Sequence, residues 1–342
     1  SITSLCSGFF EYQSLKRRFI KGVDVLFLGY VAYRQDVNGV YYNRFFDLLL
    51  EQVIDQKEKP TLIEFRSNIP QYKLPRSNES FVLAGDKAIN FFSRVLRRKN
   101  KNYKLQFEQY KEFLKEAETF FGKDAITNIS IEQILEGAQD LDAFADFFTS
   151  LFNYSRPKAV FCVSYYSSHA QAPVLSAYRC KIPSIDIQHG IQGRLHEAYG
   201  SWSNVPPNGY NLLPKYFWNW NAQAENIVNE WARNSNFHES VNGGNPWLVY
   251  WRKKGFRKLY QKSGLLKLIH NQKVVLYTLQ PSFDPFPEFV KEAIKQTRKD
   301  CIWLIRVHPR QMERYQFIKD EVEKLNKCGN VELEEATKLP LP

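Results

Sequence analysis

Apolar and polar positions alternate along this chain in a repeating order: a short apolar run, a polar turn, then a stretch of helical periodicity. The first clear apolar run is Val23-Asp24-Val25-Leu26-Phe27-Leu28-Gly29-Tyr30, which predicts a buried strand. A loop with Asn38-Gly39 follows, and then a helical pattern from about Tyr42 to Asp55. Thr61 to Phe65 predicts the next strand. Residues from about Ser80 to Asn153 read as mainly helical, with an amphipathic helix over Asp86 to Lys99 and another over Ala138 to Leu151. Ala159 to Tyr166 predicts a strand, the loop Ser167-Ser168-His169 leads into a helix ending near Arg179, and Pro183 to Gln188 predicts the strand after it. Together these read as a right-handed βαβ unit of a parallel sheet. Residues 1–20 are ambiguous between a short strand and a helix.

Residues 191–213 break this rhythm. They are rich in Gly, Pro and Asn and hold a Trp and two Tyr, which predicts a linker or site loop. The alternation restarts with the strand Lys215 to Trp220 and a helix capped by Asn221 that runs to about Arg233. A basic helical segment covers about 249–269, and Lys273 to Gln280 is a strand. Pro287 opens a helix that runs to Arg298. The strand Cys301 to Val307, a helix over about 311–327 and a last strand near Asn330 to Leu333 follow. The expected organisation is two α/β domains, 1–205 and 206–342.

Two apolar strands deliver a histidine at the carboxyl end. One stops at Gln188-His189-Gly190, the other at Arg306-Val307-His308-Pro309. Ligands of open α/β sheets bind outside the carboxyl ends of strands. His189 suits a general base on a hydroxyl; the alternative is a turn histidine bonded to a neighbouring carbonyl. Gly190 allows a tight turn and close approach of a ligand. Glu197, the first carboxylate after the Gln-His-Gly turn, is the alternative base. Arg306 and His308 lie two apart on an extended segment and so point the same way, as an anion site requires; an Arg exposed beyond an edge strand is the alternative. Gly243-Gly244-Asn245 is a weak phosphate-loop signal, and Thr278 and Gln280 end a strand where a ligand would sit. Asp140-Leu141-Asp142 has the DxD spelling but falls on helix surface. His196, His238 and His270 read as surface histidines.

At 342 residues, with 44% hydrophobic and 15% aromatic content, the chain can build two cores. The net charge of +11 favours anionic partners: nucleic acid, an anionic membrane leaflet or phosphorylated substrates. Basic residues are scattered and no nucleic-acid-binding signature appears, so no nucleic-acid partner is expected. Five cysteines without CxxC spacing argue against a disulfide framework and against zinc and fit a reducing cytoplasm. No His or carboxylate cluster has metal-ligand spacing. No signal peptide is visible, and no apolar run approaches the roughly 18 residues of a membrane span. The basic run Arg94, Arg97, Arg98, Lys99, Lys101 and Lys104 reads as a solvated helix end or as an anionic-surface patch.

The ordered set Pro183 to Gly190, Tyr216-Phe217-Trp218-Asn219-Trp220, Gly244-Asn245-Pro246, Val275 to Gln280 and Arg306 to Pro309 resembles bacterial GT-B glycosyltransferases of surface-polysaccharide (capsule and O-antigen) synthesis. The resemblance covers about residues 155–342. It implies two Rossmann-like domains with parallel sheets facing across a cleft, an acceptor-side N-terminal domain and a donor-binding C-terminal one. It implies a metal-independent enzyme without a cofactor, moving a sugar from a nucleotide-sugar to a saccharide or lipid-linked acceptor. Catalytic roles fall to His189, Glu197 and His308. Donor contacts fall to Gly243, Gly244, Asn245, Thr278, Gln280, Arg306, His308 and Pro309, and acceptor contacts to Tyr165, His169, Gln188 and Gly190. The same resemblance admits a sugar-nucleotide epimerase, a CDP-polyol phosphotransferase or a non-catalytic partner in glycan assembly. The location implied is cytoplasmic, with peripheral contact on the anionic inner membrane leaflet. Families with this His-Pro motif continue to a Ser/Thr-rich turn, whereas this sequence ends at Leu339-Pro340-Leu341-Pro342, so either the C-terminal domain is truncated or its donor site is built differently.

Overall fold

The computed structural model describes residues 2–37, 39–65, 76, 81–83, 91, 110–123, 130–254, 269, 272–282, 284–297, 300–326 and 329–338. The basic run from Arg94 to Lys104, His270 and Cys328 lie outside the described residues. Two compact units are found, Ser1–Trp247 and Leu248–Pro342.

The first unit is built on a seven-stranded parallel sheet. Its strands are β1 (Val25–Tyr30), β4 (Pro60–Phe65), β5 (Phe81–Leu83), β6 (Ala159–Cys162), β7 (Ser184–Ile187), β8 (Tyr216–Asn219) and β9 (Glu239–Asn242). Their order is β5-β4-β1-β6-β7-β8-β9, every pair parallel. The strand order reverses at β1, so the switch point lies between β1 and β6. A parallel sheet must be covered on both faces, and β1 shows how. Leu26 and Leu28 enter a core with Phe19, Phe144, Phe148 and Val160, while Val25 and Phe27 enter a second core with Phe46, Leu50 and Leu62. The first core is closed by helices α1 (Ile2–Ile20), α4 (Ile131–Ser155) and α5 (Ser168–Cys180). Residues 1–20, ambiguous in sequence, are therefore helical beyond the first residue, because Leu15 and Phe19 bury one side of a turn-spaced stripe. Ser130 starts α4 with a capping box closed by Gln133.

The expected domain boundary near residue 206 falls inside this unit. β8 pairs with β7, and Ala198, Tyr199 and Leu213 from the Gly/Pro-rich stretch are buried in the first core. That stretch is a loop returning into its own sheet. The helical pattern expected from Tyr42 also divides. Residues 40–43 form β3 (Val40–Asn43), which pairs antiparallel with β2 (Arg34–Val37), and helix α2 covers Asp47–Asp55 only.

This hairpin is fastened by buried ions. Glu64, fully buried on β4, accepts from Arg34 at 2.7 Å, Arg76 at 3.2 Å and the Asn43 amide at 2.9 Å. Arg76 also pairs with buried Asp47 at 2.7 Å, and the other Asp47 oxygen accepts from the Asn43 backbone. Asn43 Oδ1 in turn accepts the Phe45 N–H.

The second unit carries a three-stranded parallel sheet, ordered β10 (Lys273–Thr278), β11 (Cys301–Arg306), β12 (Val331–Glu332). Its core contains Phe286, Val290, Ile294, Ile305, Ile318 and Val322. The basic helix expected over 249–269 is described as far as Lys254, as a helix Pro246–Lys254. The fold is thus α/β with two parallel sheets, as the sequence predicts. No helix among the described residues is long and apolar enough to cross a membrane.

Candidate functional site

The carboxyl ends of β1, β6 and β7 bring together side chains far apart in sequence. After β1, a 3-10 turn over Val31–Tyr33 presents Tyr30 and Tyr33. After β6 the chain turns at Ser164, whose φ of 59° is left-handed, and runs through Tyr165 and Tyr166 to Ser167. Tyr30 donates its hydroxyl to Ser167 Oγ at 2.8 Å, and the Tyr33 and Ser164 hydroxyls lie 3.4 Å apart. These contacts join the two loops that flank the switch point.

His189 is the second residue after β7. Its Nε2 lies 3.2 Å from the Tyr166 hydroxyl, and its Nδ1 is buried with no hydrogen-bond partner. Burial pushes its pKa down to about 4, helped by His196 and by the positive charge of Arg44. The imidazole is therefore neutral at pH 7 and able to accept a proton. The turn histidine bonded to a neighbouring carbonyl is not what forms. The turn is held instead by Gln188, whose amide donates to the Gly190 carbonyl at 2.8 Å and accepts from Trp220 N at 2.7 Å. Gly190 has no positive φ, and a Cβ built there meets nothing within 4 Å. The space beside the turn is open.

Beneath this turn sits Asp186. It is buried on β7 and accepts from the Tyr199 hydroxyl at 2.6 Å and from Tyr165 N at 3.1 Å, with the Cys162 thiol at 3.6 Å. Burial outweighs these donors and raises its pKa to about 7. Asp186 thereby ties the loop after β6 and the 191–213 loop to one strand. Those loops line a cavity of about 490 Å³ bounded by Tyr165, Tyr166, His196, Glu197, Trp202 and Tyr210 among others. Aromatic walls with a few polar groups are the usual lining of a small-molecule site. Tyr165 itself is buried and gives its hydroxyl to the Ala198 carbonyl, so it shapes the wall.

The two titrations oppose one another. The folded state holds the Asp186 proton that an unfolded chain releases near pH 3.8, so its contribution to stability is lost as pH rises toward about 7. The folded state rejects the His189 proton that an unfolded chain binds below 6.5, so its contribution is lost as pH falls toward about 4. In the window between, the two slopes, each about 1.4 kcal/mol per pH unit, offset. Asp186→Asn should therefore make stability rise with pH across that window, and His189→Gln should make it fall. Urea midpoints measured across the window check both, and parallel curves for the two variants would contradict the assignment.

Other expected site residues lie as follows. His169 is partly buried at the start of α5, with Nδ1 3.5 Å from the Tyr30 hydroxyl and its ring 4.5 Å from that of Phe65. Glu197 is exposed on the cavity wall. Gly243, Gly244 and Asn245, expected in a donor domain, lie at the end of β9 in the first unit. The N–H groups of both glycines go to the Asn219 carbonyl, at 3.0 and 3.1 Å. The Trp218 indole fills the place of a Gly243 Cβ, which would lie 2.0 Å from Cε2. Asn245 accepts from Trp247 N at 2.9 Å. His238, read as a surface residue, is buried, accepting from Tyr210 N at 2.8 Å with its Nδ1 2.9 Å from the Pro214 carbonyl. Asp142 and Asp146 of α4 hold Arg179, so the DxD stretch is a helix–helix clamp and only partly solvated.

In the second unit the register sets Thr278 opposite Arg306 at the carboxyl ends of β10 and β11. Gln280 and His308 follow on the two neighbouring loops, and Gln311, whose N–H goes to the His308 carbonyl, ties the loops by donating to Ser282 O at 3.0 Å. Pro309 opens a 3-10 segment. Arg306 donates to the Ala336 carbonyl at 3.3 Å. Five of the expected donor residues, Thr278, Gln280, Arg306, His308 and Pro309, thus lie on these two strand ends and their loops. Among the described residues no group of three His, Cys, Asp or Glu could hold a metal ion.

Tyr166, Arg44 and Trp202 escaped the sequence reading, since nothing local marks them. The one available signal was the aromatic density of 191–213. No protein-family model matches the chain, and no curated protein matches it. Similar solved structures include UDP-GlcNAc 2-epimerase from Neisseria meningitidis bound to UDP-GlcNAc, at 14% identity over 93% of this chain and 72% of that one, TM-score 0.46. Anabaena HepE in complex with UDP and glucose is 12% identical over 91% of this chain and 68% of that one, TM-score 0.42. The N-terminal domain of Candida albicans trehalose-6-phosphate phosphatase is 8% identical over 93% and 72%, TM-score 0.44. None is alike enough in sequence to give this chain a family.

Proposed function

We propose that this chain is a GT-B-type glycosyltransferase that moves a sugar from a nucleotide-sugar to a saccharide or lipid-linked acceptor in surface-polysaccharide synthesis. The observation that carries the reading is His189: a neutral imidazole at the carboxyl edge of a parallel sheet, beside Tyr166 and an aromatic-walled cavity. Aromatic faces with a few polar groups suit a sugar ring, which is itself part apolar and part polar. In this reading the acceptor hydroxyl gives its proton to His189, with Glu197 as the alternative base. The oxygen then bonds to the anomeric carbon as the bond to the nucleotide phosphate breaks. Within the second unit by itself, Arg306 and His308, with Thr278 and Gln280, are the groups suited to hold a phosphate by fixed charge and hydrogen bonds. The net charge of +11 fits an enzyme working at an anionic leaflet.

The test is turnover of a panel of UDP-, GDP-, CMP- and CDP-linked donors with pooled saccharide and lipid-linked acceptors. Release of free nucleotide with the sugar appearing in the acceptor is the expected result. Return of the donor as its epimer, or transfer of a polyol phosphate, would replace this reading with one of the two related chemistries. No consumption of any donor would reject it.

A further inference from the structure

Arg44, half-buried after the hairpin, differs from the other arginines of the first unit that pack against its elements. Arg34 and Arg76 each pair with a carboxylate, and Arg179 holds two. Arg44 pairs with none among the described residues, and its Nε is buried without a hydrogen-bond partner. The guanidinium rests on the Phe45 ring at 4.7 Å and reaches toward Tyr33 at 5.9 Å. Its backbone N–H goes to the Tyr33 carbonyl at 3.2 Å. The residue before it, Asn43, is fixed by the Glu64 and Asp47 network. So a cation stripped of part of its water is held at the end of the hairpin, next to the switch point, with no counter-charge among the described residues. Tyr33 beside it has its hydroxyl 3.4 Å from that of Ser164, on the loop whose Tyr166 meets His189 at 3.2 Å.

Leaving a guanidinium unpaired in a poorly solvated place is costly, and buried charges are ordinarily paired. A carboxylate or phosphate oxygen fits the planar fork of an arginine, and a partly dry setting strengthens that contact. We propose that Arg44 is an anion-recognition residue of the His189 site, taking an oxyanion of the substrate, either a phosphate or a sugar carboxylate. The inference rests on the His189 cleft being the reaction site, and it adds that the molecule bound there is negatively charged. The anion sits between Arg44 and the loops of Tyr33 and Tyr166, so it presents its neighbouring hydroxyl groups toward His189.

The test is binding, which needs no turnover. The full chain is titrated with inorganic pyrophosphate and, separately, with glucuronate, while the ring NMR signals of His189 are followed. At least one anion should shift those signals, and the anion that does so names the source of the charge. Arg44→Gln should weaken that binding by about tenfold or more, the range for a lost hydrogen bond to a charged group, and Arg44→Lys should restore part of it. A second cationic place exists near the end of α1, where Arg17, Arg18, Lys21 and Lys59 line one cavity. Anions bound only there would leave the His189 signals still, and that result overturns the proposal.

Thermal stability supplies a second readout. Removing a stranded charge should leave the melting temperature of Arg44→Gln unchanged or raised. A marked fall in melting temperature together with unchanged anion binding would make Arg44 a packing residue and end the proposal. Failure of the donor panel with success here would leave an anion-binding cleft of different chemistry, so the two claims fail separately.

Discussion

Replacing Glu64 with alanine is expected to lower the unfolding free energy by about 3–5 kcal/mol, the cost of breaking a buried ion pair from one side. The reason lies in what stays behind. Arg34 keeps 4% of its side chain exposed and Arg76 keeps 9%, so neither can recover its lost partner from water. Arg76 retains Asp47, but Arg34 loses all three of its bonds to the carboxylate. The Asn43 amide loses its acceptor as well. Since whole proteins are stable by only about 5–15 kcal/mol, this is roughly a fifth of the total or more. Urea unfolding of the variant beside Arg34→Met/Glu64→Leu measures it. The double variant should recover most of the loss, because it removes charge from both sides. A Glu64→Ala loss below about 1 kcal/mol would mean that the pairs are solvated, against the burial described above.

The second large effect concerns rate. His189→Ala should lower sugar transfer by about 10²- to 10⁴-fold, the usual worth of a positioned general base. The turn itself should survive, since Gln188 holds it through Trp220 N and the Gly190 carbonyl without using the imidazole. The wild-type pH profile carries a second mark of the same residue. With the His189 pKa near 4, activity should persist well below the ordinary histidine range and fall only as pH approaches about 4. A residual rate within tenfold of wild type would pass the role to Glu197, the carboxylate on the adjoining cavity wall.

The sheet was legible wherever burial on both faces made a run apolar through and through. β1, β6 and β7 announce themselves that way, and the His189 end of β7 could be found from its run, as the His308 end of β11 could from its own. The hairpin was not legible, because Tyr41, Tyr42 and Asn43 suit a strand and the start of a helix equally. What decides is Glu64, twenty-one residues on, which no local window contains. The compact units divide at Trp247 and not near 206 for a related reason. Gly and Pro in 191–213 mark turns, and turns occur in linkers and in ordered loops alike. The buried positions of Tyr199 and Leu213 separate the two cases, and burial is set by the core they return to. His238 looked exposed beside polar neighbours, yet Phe237 and Trp231 pack around it. Within the site, strand ends could be placed from sequence, but their partners could not. Tyr166 reaches His189 across two neighbouring strands, and Arg44 arrives from a hairpin.

The ion network behind that hairpin has a further consequence in salt. Screening acts on charges that water reaches and hardly on those it does not. The pairs of Glu64 and Asp47 are closed to solvent, so the hairpin should keep its shape in concentrated electrolyte. The outer cations of the chain, Arg17 and Lys21 among them, are open to bulk ions and should lose their pull on any anion there. Ionic strength therefore separates the two kinds of charge this protein carries: one set fixes where its parts stand, and the other governs what it attracts from solution.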